Sequence, residues 1–368
     1  MYQNVKSFSI SILFLLCILI YSCIIFPSHY TIDLCYNMLD ENSNWQIYAD
    51  NKELTKQYNI SNNQYDDAYS PSWSPDGKYI AFRNDFGLGV SGSSINLYDV
   101  LSDSLINITP EFTSGESGRP LLWSPAGDKI IYYYHKVGEP YFYYIMNFDG
   151  SNKIKLFEKQ KDENIISFCD QGTALLYSKE QSLYKINIDN LTSELIVDFS
   201  TLSNYSTYVD DYNDDNSTIL CHDDSSRWNG GATFIIKEIN LESLNIDTLI
   251  QSSENNLLFF PSYSNDYTRI SFFEKNHDSN IQKLLIIDGE DNIHEIYSFQ
   301  SETMNFGHNK PLFSPYNKYI LFELITNKSN SSGTHMSTTN TIIINIITKN
   351  TVEIMNAQNA RWNPQKKF

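Results

Sequence analysis

One short mark returns seven times along this 368-residue chain, at intervals of 41 to 54 residues. A period of that size restricts the fold to a solenoid, a propeller or an array. The fullest copy is Pro71-Ser72-Trp73-Ser74-Pro75-Asp76-Gly77-Lys78-Tyr79-Ile80-Ala81-Phe82, repeated closely from Trp123 to Tyr132 and nearly so from Phe313 to Phe322. Weaker copies begin at Phe168, Val209, Tyr263 and Trp362. Each has one physical reading. An apolar residue ends a strand, Pro presets a tight turn that Asp and Gly complete, and an alternating apolar run opens the next strand.

Two further β-rich runs follow each hairpin, among them 94–100 with 103–109, 182–188 with 192–199, and 282–289 with 292–299. Four strands per repeat make a propeller blade. The chain stops soon after Trp362, while three strand-like runs, 31–37, 44–50 and 52–59, stand unassigned at the other end. The spacing therefore predicts an all-β propeller of seven four-stranded blades. Its last blade takes its inner strand from the C-terminus and three outer strands from the N-terminus, and that closure removes the open edge. Six blades with a separate N-terminal hairpin is the alternative.

The repeat Trp-Ser-Pro-Asp-Gly-Lys-x-Ile-Ala-Phe resembles the WD40-like β-propeller repeat of the TolB family, shared with the propeller domains of prolyl-oligopeptidase-type peptidases. The likeness covers residues 71–133 well and 310–356 moderately. It implies a propeller fold, and propellers of this kind serve as docking platforms, enzymes and covers for other domains.

A formal net charge of −18 argues against nucleic acid as a partner, since phosphate binding needs a basic face. Tyr and Phe are abundant, at 26 and 21, which suits an all-β chain. Lys6 precedes an apolar stretch from Phe8 to Phe26, near the length that crosses a bilayer. Within it Ile20-Tyr21-Ser22-Cys23 resembles a bacterial lipobox, which implies lipidation at Cys23. An uncleaved anchor and ordinary secretion are the alternatives. All three give a leader or anchor helix over 1–26, a single propeller domain over 27–368, and a place in the cell envelope outside the cytoplasm, as a periplasmic or outer-membrane lipoprotein. Cys35, Cys169 and Cys221 fall in different repeats and predict no structural disulfide.

In a propeller, loops entering the inner strands and loops joining second to third strands open on one face around the channel. The entering loops carry Tyr65, Asp66, Asp67, Glu116, Arg119, His308, Lys310, Asn359 and Arg361, the predicted ligand-binding residues. Arg119, Lys310 and Arg361 should form a cationic spot suited to a partner's carboxylate. His135, His222, His277, His308 and His335 fall in or beside loops of the same face. Histidines gathered at one mouth are the feature a metal site or lyase would need, and oligogalacturonate lyase is a propeller that resembles this chain and holds a metal through histidines. These, however, share no short ligand spacing, so neither metal nor cofactor is expected. The run Asp210 to Asn216 looks like a calcium loop but lacks the turn Gly and the closing Glu; its position predicts a solvated hairpin tip. No Gly-x-Ser-x-Gly elbow exists, which disfavours a peptidase.

Two function classes remain. The first is a noncatalytic, membrane-tethered, monomeric platform of the bacterial envelope that binds a protein, peptide or glycan. The second is a propeller-type polysaccharide lyase with a histidine-lined metal site.

Overall fold

In the computed structural model, which describes residues 32–62, 67–87, 89–160, 163–202, 206–224, 234–252, 256–329 and 335–365, the repeated mark is a hairpin held by its serine. The buried Ser74 hydroxyl accepts the Tyr79 N–H at 2.9 Å and donates to Asp76 Oδ1 at 2.7 Å. Ser124 and Ser264 repeat this with Lys129 and Asp128, and with Arg269 and Asp266. One hydroxyl thus satisfies both sides of a tight turn. Gly77, at φ +68°, lies where a Cβ would sit 2.5 Å from Asn363 Oδ1. Only glycine fits there.

Strands follow in antiparallel meanders, innermost first. Ser206–Asn213 pairs Thr218–Asp224, which pairs Phe234–Asn240, which pairs Ile246–Gln251. Middle strands such as Tyr79–Asp85 and Ser93–Asp99 are buried along much of their length because neighbouring sheets cover both faces, whereas outer strands such as Ser104–Asn107 are exposed. Apolar clusters fill the gaps between neighbours. One joins Ile219 and Cys221 to Leu176 and Leu183, and another joins Leu321 and Ile343 to Leu34, Tyr36 and Trp362. Burial of such clusters, at about 25 cal/mol per Å2 of apolar surface, is what holds the sheets face to face.

The last inner strand, Ala357–Trp362, pairs Leu34–Leu39, with Trp45–Asp50 and the short Tyr58–Asn59 outside it. This closing sheet is pinned by Asn363, whose Nδ2 donates to the Ile32 carbonyl at 3.1 Å and whose N–H donates to that of Asp33 at 2.8 Å.

The expected count of seven separate four-stranded blades, with six as the alternative, is corrected. Hydrogen bonding gathers the strands into six sheets, of which four are four-stranded, one eight-stranded and one five-stranded. The eight-stranded sheet arises because Ser93–Asp99 and Glu116–Trp123 touch through one parallel pair, Ser93 with Ser117. Glycine permits that approach: a Cβ at Gly92 would meet the Glu116 carbonyl at 2.5 Å, and one at Gly118 would meet Phe112 at 2.7 Å. The five-stranded sheet arises because its inner strand breaks between Met304–Phe306 and Leu312–Phe313, where Pro311 has no N–H to offer and Glu323 crowds Gly307. Helix among the described residues is limited to two single 3-10 turns, Asp170–Gly172 and Phe199–Thr201. The expected leader or anchor helix and Cys23 lie outside the described residues; within them no helix is long and apolar enough to cross a membrane. Cys35, Cys169 and Cys221 are buried free thiols, and burial pushes Cys169 up to about 12.

Two features of the inner strands matter for the channel. Tryptophans of the mark stitch neighbours together: the indole N–H of Trp73 donates to the Arg361 carbonyl, that of Trp123 to Ser72, and that of Trp362 to Leu312, all within 3.1–3.2 Å. Inner strands also carry bulges, at Tyr69/Ser72, Pro120/Leu122, Ile165/Ser167, Val209/Asp211 and Phe259/Ser262. A bulge bends its strand and re-aims the side chain at the bend.

Candidate functional site

The inner strands enclose a cavity of ≈ 790 Å3 walled by residues from opposite sides of the ring, among them Ser72, Leu121, Asn164, Asp210, Lys310 and Arg361. This is the central channel. Arg361 reaches its wall from the closing sheet, half-buried, with Nη1 donating to its neighbour's carbonyl, that of Ala360, at 2.8 Å. No carboxylate lies within 4 Å of it among the described residues. Burial holds its guanidinium below the ordinary arginine value, the Glu323 carboxylate opposes that, and the Arg119 charge adds to it more weakly. Arg119 is exposed on its strand and likewise has no described ion pair. A partly desolvated guanidinium with no carboxylate in direct contact favours an anion.

The other predicted residues divide. Lys310 lines the channel but is already engaged: Nζ sits 2.7 Å from Asp211 Oδ1 and donates to the Asp210 carbonyl at 3.1 Å. Glu116 accepts from the Tyr134 hydroxyl at 2.7 Å and from the Thr113 N–H and hydroxyl, which hold its carboxyl below the usual range. Asp67 joins two sheets, accepting from the Trp45 N–H and the Tyr69 hydroxyl, each at 2.6 Å. Asn359, at φ +54°, donates its N–H to Glu323 Oε1 at 2.6 Å. These three are structural groups. Tyr65 and Asp66 lie outside the described residues.

His308 is exposed and belongs to a different cavity, a side pocket of ≈ 540 Å3 between the fourth, fifth and sixth sheets. His222 lines the same pocket. The remaining histidines scatter: His135 stacks on Tyr141 at 4.1 Å within its own hairpin, and His277 sits in a turn. The side chain of His335 is outside the described residues. No group of three metal-capable side chains occurs among those described.

The sequence reading missed one constellation. Asp210 and Asp211 lie in the inner strand Ser206–Asn213, so the reading of the acidic run as a hairpin tip is corrected; only Asp214 to Asn216 form the turn. The strand continues through a bulge between Val209 and Asp211. Asp210 Oδ2 there meets His222 Nδ1 at 2.6 Å, and the imidazole stacks on Tyr208. Burial pushes the Asp210 carboxyl up against the opposing charges of His222 and Lys310. Burial also pulls His222 down, but the Asp210 carboxylate outweighs it and leaves the imidazole above its ordinary value. A signal was present: an Asp at the bend of an inner strand paired with a strand bearing His. Nearby, Lys237 Nζ and Asp223 Oδ2 form a buried ion pair at 2.7 Å, with the Thr207 hydroxyl donating to Asp223.

No protein-family model matches the sequence, and no curated protein does either. Solved structures do. A puromycin-hydrolysing peptidase of Mycobacterium tuberculosis is similar at a TM-score of 0.58 and 9% identity, over 93% of this chain and 56% of that one. Oligogalacturonate lyase from Vibrio parahaemolyticus gives 0.51 and 10%, over 88% and 84%. TolB from Acinetobacter baumannii gives 0.48 and 15%, over 77% and 67%. At such identities the likeness speaks for the fold alone: this chain has the β-propeller fold, and TolB proteins are among the structures it resembles.

Proposed function

We propose that this chain is a noncatalytic, membrane-tethered platform of the bacterial cell envelope, which captures a carboxylate of a protein, peptide or glycan partner at Arg361 and Arg119 in the propeller channel. What supports this is the half-buried Arg361 at the channel wall, whose charge feels that of Arg119, with no described carboxylate within 4 Å of either. Fork-shaped donors match carboxylates in two-point hydrogen bonds, the strong kind. Lys310, tied to Asp211, supports the wall and does not join the spot. The apolar stretch ending near Cys23 is the basis for the tether.

Titration calorimetry with a tetrapeptide carrying a free C-terminal carboxylate, against the same peptide as its amide, tests the reading. The acid should bind at least about tenfold more tightly, and Arg361→Gln with Arg119→Gln should remove the difference. Equal binding of acid and amide would sink the carboxylate reading. Turnover of an acidic glycan, lost on removal of a stoichiometric metal, would replace the platform with the lyase.

A further inference from the structure

The side pocket has the makings of a second, separate ligand site. Its walls are aromatic: Phe259 and Phe260 pack edge to face at 5.4 Å, and Phe306 is fixed by stacking on Phe273 at 4.1 Å. Such surfaces are rigid and present flat faces and edges for a further ring. The bound volume, ≈ 540 Å3, lies in the range of pockets that enclose small organic ligands.

The walls carry one acid, Asp224, and two donor atoms, on Lys275 and His222, that no carboxylate meets directly. Lys275 Nζ donates to Asn305 Oδ1 at 2.8 Å and has no carboxylate within 4 Å among the described residues. His222, only 12% exposed in its side chain, is oriented through Nδ1 by Asp210, while its Nε2 has no hydrogen-bond partner among the described residues. In the ion-pair form of that dyad, Nε2 carries a proton and is a donor. His308 adds a third nitrogen-bearing side chain to the lining. A buried donor left unmatched costs free energy that a ligand's acceptor recovers.

We propose that this pocket binds a small aromatic carboxylate, its ring against Phe259, Phe260 and Phe306 and its carboxylate between Lys275 and His222. The aromatic walls select a flat apolar body, and the Lys275 ammonium with the Nε2–H of the Asp210-paired His222 selects a negative head. The site stands apart from the channel. The dyad still links them physically, since Asp210 faces the channel and its partner His222 faces the pocket.

The test uses the purified full chain and two probes, 3-phenylpropionate and the isosteric neutral 3-phenylpropanamide, by titration calorimetry. The acid should bind about tenfold or more tightly than the amide, because only it forms charge-assisted hydrogen bonds. Lys275→Met and, separately, His222→Gln should shrink that ratio towards one, while in Arg361→Gln, which removes the channel's own affinity for carboxylates, the pocket's preference for the acid should persist. Comparing the two probes on the unaltered protein keeps the proposal testable should a variant misfold. Equal affinity for both probes, no binding of either, or a ratio that collapses with Arg361→Gln and not with Lys275→Met would overturn it.

Discussion

The two sides of the ring are built from the same repeat and held by different forces. On one side, the closing and eight-stranded sheets keep tryptophan at the turn-flanking position, and each of Trp73, Trp123 and Trp362 hydrogen-bonds a neighbour's backbone carbonyl. On the other side, the hairpins of the third and fourth sheets carry no tryptophan; Cys169 pairs Ala174 and Asn213 pairs Thr218 across shorter turns. The fourth sheet holds the Lys237–Asp223 pair and the Asp210–His222 dyad, and it borders the side pocket. Where the repeat is faithful its indoles tie neighbouring strands; in the fourth sheet, where it decays, two buried ion pairs stand instead.

Opening the ring on its faithful side should have the largest effect. Removing residues from Ala357 onward deletes the inner strand of the closing sheet, exposes the edge of Leu34–Leu39 and abolishes the bonds from Asn363 and Trp362. We expect loss of the cooperative melt and aggregation; a truncated chain that melts cooperatively at the parent temperature would show that the closing sheet does not hold the ring. Next comes the decayed side, where Asp223→Ala strands the Lys237 ammonium, itself 4% exposed, without its acid. A loss of about 3–5 kcal/mol is expected in urea unfolding, and a loss under about 1 kcal/mol would mean that the buried pair is not what organises this sheet. The smallest effect belongs to single stitches. Trp123→Phe keeps the packing but leaves the Ser72 carbonyl without its indole donor, at a cost of about 1 kcal/mol. Should Trp123→Phe cost nothing while Asp223→Ala costs much, the two sides differ more sharply than the geometry alone implies.

How much of this could be read from residues follows the same division. The hairpins were legible because a turn of this kind demands Ser, Pro and Gly at fixed offsets, and strands such as Ser182–Asn187 and Phe234–Asn240 follow from the β-rich runs. Fusion of two strand sets through Ser93 and Ser117 was not legible, since Gly92 and Gly118 look like ordinary loop glycines until a neighbouring chain segment is placed against them. Of the predicted binding residues, Arg361 lines the channel and Arg119 acts on it only through its charge, whereas Lys310, Asp67 and Glu116 are engaged by Asp211, by Trp45 and by Tyr134. Asp210 was misplaced for a specific reason. Reading the acidic run as a hairpin tip puts Asp210 in solvent, whereas the strand runs on to Asn213 and its bulge between Val209 and Asp211 leaves Asp210 at the wall. The side pocket gathers residues of three sheets, a convergence that no local pattern contains.

The bond from Asn363 to the Ile32 carbonyl spans 331 residues of sequence. Loop-closure entropy grows only logarithmically with that span, so the thermodynamic cost of so distant a clasp is modest. Time is the larger issue. At about 5–20 residues per second of synthesis, the earliest strands exist for tens of seconds before their partner has been made. Throughout that interval Leu34–Leu39 presents an unpaired edge with four buried-type side chains in a row. A chain fastened in this way depends on whatever keeps that edge from finding another chain first, and its folding yield is decided at its beginning by residues that arrive at its end.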